Sequence, residues 1–269
     1  MAPDDASLVR LDALLAELGS ARSRTHAARL IADGLVSVDG RPALKPSLRV
    51  ARSAAVEVAA SDHYVSRAAH KLIAALDGFG VDPRGSRALD VGASTGGFTQ
   101  VLLERGARHV VALDVGHGQL HPSIAGDDRV LVLEGVNARH LTAEQLRGFA
   151  GEDAEVDLVV GDLSFISLTQ VLPALAATVG TDAEYVMLIK PQFEVGRGNV
   201  REGIVRDRDL RLDAVRDVVW AAFDLGLPTA GLMSSPLPGG AGNHEYLVRL
   251  SATHGIDPTE WESQIAALD

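Results

Sequence analysis

Cysteine is absent from the 269 residues, which excludes disulfides, thiolate metal sites and a thiol nucleophile together. No stretch approaches 18 uncharged apolar residues, so no membrane-spanning helix is expected. The opening MAPDDASLVR carries two acids and no apolar core, unlike a secretory signal. The nine histidines show no HExxH or comparable spacing, and no metal is expected to be required. Internal repeats and low-complexity tracts are also missing. A cytoplasmic protein without membrane contact, working as a monomer, is the expectation. The 46% hydrophobic content is ample for a core, and the length suits one large domain or two unequal ones.

Basic charge is in short supply. The formal net charge of −11 speaks against nucleic acid, because phosphate binding leaves a basic footprint. The distribution is uneven, however. Residues 1–60 carry 8 Lys and Arg against 7 Asp and Glu, whereas the remainder carries 17 against 29. An acidic chain can still present one basic face, so net charge does not decide the matter.

Residues 1–60 read as two helices followed by two strands. Leu8, Leu11, Leu14, Leu15 and Leu18 recur at helical spacing, and Gly19 follows as a stop. Ser23 suits the cap of a second helix whose apolar stripe is Ala27, Leu30 and Ile31, with Arg22, His26 and Arg29 opposite. LVSVDGRPA gives a strand and an Asp39-Gly40 turn, and AAVEVAA another strand. Arg10-Leu11-Asp12, Ser23-Arg24 and IADGLVSVDG resemble the S4 RNA-binding module. The resemblance implies RNA-backbone contacts by Arg22, Arg24, Arg29 and Arg41. A basic-faced docking cap is the alternative.

Residues 61–65 read as a linker, and 66–269 as a second domain. There SRALDV, HVVALDV, RVLVLEG, VDLVVGD and AEYVMLIK are strand-like, with helical patterns between most of them. That alternation predicts an α/β fold with a parallel sheet covered on both faces. PTAGLMSSPL and NHEYLVRLSA follow a helix near 207–225 and suggest an antiparallel edge pair, giving a Rossmann-like methyltransferase architecture.

LDVGASTGGFT ends the first of these strands. Its glycines stand at 92, 96 and 97, which is not G-x-G-x-x-G, and no Gly-Lys-Ser/Thr makes it a P-loop. The stretch resembles the S-adenosylmethionine motif, implying that Gly92, Ser94, Gly96, Gly97 and Phe98 bring backbone against the cofactor and that Asp90 meets its amino group. Asp114 ends the next strand, 24 residues on, where a carboxylate suits the two ribose hydroxyls. Asn137, after the third strand, suits the adenine edge.

Asp162 in GDLSF and Lys190 in IKPQF end the fourth and fifth strands, Lys71 lies in SRAAHKL one turn beyond Arg67, and Glu245 lies in GNHEYLV. Lysine, aspartate, lysine and glutamate in this order resemble the tetrad of FtsJ-like RNA 2′-O-methyltransferases. The resemblance implies that Lys190 acts on the 2′-hydroxyl, as base or as a charged oxyanion stabiliser, that Asp162 orients it, and that Lys71 and Glu245 position the ribose. Arg67 is expected to face RNA. A loop from 191 to 211 carrying Arg197, Arg201, Arg206, Arg208 and Arg211 is expected to overhang the site, where its glycines at 196, 198 and 203 suit a segment ordered by RNA, with a solvated charged loop as the default expectation. Ala68 departs from the glycine expected beside Lys71.

Together with the S4-like front and DLSFISL, KPQFEVG and GNHEYLV, the chain resembles the TlyA family, historically labelled hemolysins. That resemblance implies methylation of cytidine 2′-hydroxyls in ribosomal RNA, 16S or 23S or both, within 30S or 50S subunits. The tail HGIDPTEWESQIAALD suggests an added C-terminal helix. A small-molecule methyltransferase and a lytic or purely RNA-binding protein are the competing readings. Lysis would need an apolar span or a strongly amphipathic face, and neither is evident.

Overall fold

Residues 8–21, 23–32, 34–58, 63–239 and 242–268 are described in a computed structural model. The chain divides into two compact units, the first reaching Arg67 and the second starting at Ala68.

In the first unit a short strand β1 (Val9–Arg10) leads into α1 (Leu11–Glu17), and α2 (Arg24–Ala32) follows. The Oγ of Ser23 accepts the amide of His26 at 3.1 Å, which is the helix start the sequence predicts. Strand β2 (Val36–Val38) then turns through Asp39 and Gly40 into β3 (Arg41–Pro42). Both turn residues have positive φ, 50° and 74°, as a two-residue hairpin loop demands. With β4 (Arg49–Val50) and β5 (Val56–Val58), two small antiparallel sheets form, β1-β4 and β3-β2-β5. Leu11, Leu14, Leu15, Ala27, Ile31 and Val36 make the core, joining the helical stripes to β2.

The second unit opens with α3 (Ala69–Phe79), β6 (Arg87–Val91), α4 (Gly97–Glu104) and β7 (His109–Asp114). Then come α5 (Pro122–Ala125), β8 (Val130–Glu134), α6 (Ala143–Ala150), β9 (Leu158–Gly161) and α7 (Leu168–Val179). The chain continues through β10 (Glu184–Ile189), α8 (Pro191–Glu194), α9 (Arg208–Asp224), β11 (Thr229–Ser234), β12 (Tyr246–Leu250) and α10 (Glu262–Ala267). Seven strands lie in the order β11-β12-β10-β9-β6-β7-β8. β6 to β10 are parallel, and β12 runs antiparallel to both of its neighbours. The central strands β6, β7, β9 and β10 are buried along almost their whole length, which is why they read as unbroken apolar runs.

Two consequences of this topology position a site. The strand order reverses between β6 and β9, opening a crevice beyond their carboxyl ends where ligands of such sheets bind. Because β12 is antiparallel, its first residue Tyr246 pairs with Ile189, the last residue of β10. Glu245 and Lys190, each one residue beyond that pair, therefore meet on the same edge as the other carboxyl ends.

The tail forms a 3₁₀ turn, Pro258–Trp261, and α10. Trp261, Ile265 and Leu268 join the main core, and the Trp261 indole donates to the Thr229 carbonyl at 3.1 Å. Two expectations need correction here. Exposed Arg208 donates to the carbonyls of Ala266 and Leu268, and buried Arg211 donates to those of Val205 and Arg206, so Arg211 holds backbone together instead of facing RNA. Arg67 precedes α3, which starts only at Ala69, so it does not lie one helical turn before Lys71.

Candidate active site

Lys71, Asp162, Lys190 and Glu245, from four separate places in the sequence, meet as one ion cluster. The Lys190 Nζ lies 2.5 Å from Asp162 Oδ1 and donates to Ser164 Oγ at 2.9 Å. Lys71 Nζ lies 2.5 Å from Glu245 Oε2 and 3.9 Å from Asp162 Oδ2. Asp162 thus stands between the two lysines. Lys71, Lys190 and Glu245 are buried, whereas the Asp162 side chain keeps 16% exposure and opens to solvent. Two carboxylates balance two amines, as burial of so much charge requires. Gly239 makes room for the cluster, because a Cβ there would fall 2.0 Å from Glu245 Oε1.

Beside the cluster lies a cavity of about 480 Å³ whose wall includes Gly92, Ser94, Asp114, Asn137, Asp162 and Ser164. It gathers the carboxyl ends of β6, β7 and β9 and the loop after β8. No lysine or arginine lines it. A phosphate-bearing dinucleotide would face Asp114 and Asp162 without a counter-charge, whereas a cationic sulfonium ligand meets complementary charge. Gly92 has φ +84°, and a Cβ there would come within 3.1 Å of the Asp162 carbonyl oxygen, so the turn tolerates only glycine without strain. Gly96 also has positive φ, at the N-terminus of α4.

Asp114 accepts the amides of Ser94 at 2.8 Å and Gly116 at 2.7 Å, which fixes its carboxylate at the cavity rim. Asn137 caps a 3₁₀ turn by accepting the Arg139 amide at 3.0 Å, a structural role beside its place on the wall. Gly97 and Phe98 are buried in the first turn of α4, and Asp90 is wholly buried beneath the glycine turn. None of these three belongs to the cavity wall.

Asp90 Oδ2 accepts the Thr99 hydroxyl at 2.6 Å, while Oδ1 is buried with no partner among the described residues. Burial pushes this carboxyl up to about 7, the Thr99 hydrogen bond opposes the shift, and the charges of Asp162 and Asp114 add to it. An orphaned carboxylate oxygen beneath an acidic cavity fits a ligand that brings an ammonium group. In the ligand-free protein it weakens the fold. The folded value lies above the unfolded one, so Asp90's contribution is fully present below about pH 4 and is lost as pH rises through about 7. Asp90→Asn removes that loss, which is worth on the order of 4 kcal/mol at its limit. Melts of the ligand-free proteins should converge toward pH 4, differ by about a third of that loss near pH 5 and be fully separated by pH 8, with the variant more stable. A difference that does not widen between those pH values contradicts the assignment.

Several residues of the site were not singled out by strand-end charge or glycine. Phe165 has φ +66°, rare for a bulky residue, and is 91% exposed at the cavity mouth. Its ring lies 5.3 Å from that of Phe193. Gln192 donates to Glu245 Oε1 at 3.5 Å. Glu194 accepts the Ser167 hydroxyl at 2.5 Å and the Leu168 amide at 2.9 Å, tying α8 to the start of α7. DLSF and KPQFE, the stretches that supply Asp162 and Lys190, hold all of these.

In the first unit, Asp12 is buried and receives Arg10 at 3.0 and 2.9 Å and Arg24 at 3.2 Å. These guanidinium groups, Arg10 foremost, hold its carboxyl down at about 2. The Arg24 side chain remains 60% exposed, and Arg41 is exposed on the β2–β3 hairpin. Arg22 lies outside the described residues, and only the backbone of Arg29 and Arg197 is described.

The sheet order, glycine turn and acidic cavity define a Rossmann-like, S-adenosylmethionine-type methyltransferase domain. Comparison agrees: residues 64–252 match the FtsJ-like methyltransferase family and residues 9–56 the S4 domain. The chain is 52% identical, over 90% of its length and 89% of the relative's, to the 16S/23S rRNA (cytidine-2′-O)-methyltransferase TlyA of Mycobacterium tuberculosis. It is 38% identical to Hemolysin A of Brachyspira hyodysenteriae over 89% of this chain and 98% of that one. A solved structure named as a hemolysin, from Streptococcus thermophilus, superposes with a TM-score of 0.74 at 34% identity, covering 98% of this chain and 96% of that one. The chain belongs to the TlyA family of S4-domain, FtsJ-like methyltransferases. Among the described residues no helix is long and apolar enough to cross a membrane.

Proposed function

We propose that this chain methylates the 2′-oxygen of cytidine in ribosomal RNA, in both the 16S and the 23S molecule, using S-adenosylmethionine. The observation that carries the reading is Lys190, held by Asp162 and Ser164, two residues that themselves line the acidic cavity. When bound, S-adenosylmethionine supplies an electrophilic methyl group on a sulfonium. A ribose hydroxyl is a poor nucleophile at neutral pH, so the site must align it and handle its proton. In the neutral form this step requires, the Lys190 amine directs its two N–H groups to Asp162 and Ser164 and keeps its lone pair for the 2′-hydroxyl. That lone pair takes up the hydroxyl proton as the new C–O bond forms, and Asp162 stabilises the resulting ammonium. Lys71 and Glu245 hold Asp162 and the ribose pocket in register.

Asp90 and Asp114 hold the cofactor's amino and ribose groups, and the backbone at Gly92 and Ser94 lies against it. Exposed Phe165 offers a flat apolar face to a base splayed out of its helix, a conformation that chemistry at a ribose inside folded RNA requires. The S4 domain adds phosphate contacts through Arg24, Arg29 and Arg41. Ribosomal RNA as substrate places the enzyme in the cytoplasm.

Transfer of labelled methyl to separated, unmethylated 30S and 50S subunits tests the reading, with label expected in both. Label in neither subunit contradicts it. For the S4 surface, Arg41→Gln should flatten the dependence of log K on log salt by about 0.7 to 0.9, one phosphate contact's worth. An unchanged slope would return the unit to a docking cap.

A further inference from the structure

Gln192 stands two residues after Lys190, and its amide faces two environments. Nε2 lies toward the Glu245 carboxylate, at the long end of hydrogen-bond range, 3.5 Å. An ionised carboxylate only accepts, so this contact turns the nitrogen inward and the carbonyl oxygen away. That oxygen, Oε1, is buried and has no hydrogen-bond partner among the described residues. A buried acceptor left unpaired is costly, and its persistence beside a site points to a donor that arrives with a ligand.

Gln192 also lines a cavity of about 390 Å³, distinct from the acidic one, together with Arg139, Phe165, Ile166, Phe193 and Val200. The rings of Phe165 and Phe193, inclined at 49°, give it aromatic walls suited to a planar heterocycle. The two cavities share Phe165 and Ile166, so the second begins where the first ends, beside Asp162 and Ser164. A base is attached to the ribose carbon next to the one bearing the 2′-oxygen. For a nucleotide whose 2′-oxygen meets Lys190, this aromatic-walled cavity is the candidate place for its base.

Resting on the RNA reading above, we propose that Gln192 is the residue that selects cytosine. Oε1 accepts a hydrogen bond from the exocyclic 4-amino group. Uracil carries a carbonyl oxygen at that position, so acceptor would face acceptor and the base is rejected. A pyrimidine with only hydrogen at that carbon leaves Oε1 unpaired, an intermediate case.

The test uses the full chain and subunits carrying cytidine, uridine or pyrimidin-2-one riboside at the methylated position, with kcat/KM measured for each. Wild type should fall about tenfold or more from cytidine to pyrimidinone, and further for uridine. In Gln192→Leu the ratio between cytidine and pyrimidinone should collapse to near one. Equal rates on cytidine and pyrimidinone in wild type overturn the proposal. So does a Gln192→Leu variant that loses the same factor on all three substrates, which marks a merely structural contact to Glu245. Wild type inactive on cytidine-bearing subunits is a separate result: it removes the RNA reading, and this proposal with it.

Discussion

Lys190→Ala is expected to lower methyl transfer by about 10²-fold or more while leaving RNA and cofactor affinity within about twofold. The expectation follows from position. Lys190 directly follows β10 with its amine between Asp162 and Ser164, at the edge of the cavity and not on its wall, so its loss removes proton handling without removing a binding surface. Asp162 keeps Lys71 at 3.9 Å and some solvent exposure, so the variant should fold. Single-turnover transfer measured beside equilibrium binding separates the two effects. Turnover close to wild type would take Lys190 out of the mechanism, and a parallel loss of RNA affinity would make it a binding residue.

Lys71→Met is expected to damage stability more than any other single change in the cluster. It strands the buried Glu245 carboxylate, whose 2.5 Å partner is gone and whose remaining side-chain contact among the described residues is the long one to Gln192. Breaking a buried pair on one side costs about 3–5 kcal/mol, a fall in Tm on the order of 10 °C for a domain of this size. Lys71→Met combined with Glu245→Leu should recover most of that loss, because the uncompensated charge is removed, but should not recover activity. Thermal melts of the single and double variants check this. A single variant as stable as wild type would mean that Glu245 finds another partner or water, and that the pair is not what holds the cluster.

The parts of this site legible in the sequence are those where an apolar run stops at a charged residue. Asp114, Asp162 and Lys190 each follow a buried strand, and a parallel sheet aligns such ends without further information. Glu245 was legible through its motif, and antiparallel pairing of β12 explains why it joins them. Charge alone misled where a long side chain had two destinations. Arg211 looked like part of a loop ordered by RNA, yet backbone carbonyls of residues 205 and 206 take its guanidinium group. Asp90 is identifiable as a strand-end acid, but its complete burial and orphaned oxygen arise only once α4 packs over it. Phe165 and Gln192 lie within the DLSF and KPQF stretches, but nothing in the residue order assigns either a role. An exposed aromatic with positive φ and an amide locked at one end are properties of contacts between distant segments, invisible in the order of residues.

The central claim is that the reacting atom is the 2′-oxygen of cytidine. Complete nuclease digestion of ribosomal RNA from unmethylated subunits incubated with wild type or Lys190→Ala, followed by mass spectrometry of the nucleosides, tests it directly. The account predicts 2′-O-methylcytidine from the wild-type reaction in both 16S and 23S RNA, and none above background from Lys190→Ala. A methyl group recovered on a base, on a nucleoside other than cytidine, or equally with Lys190→Ala would contradict it.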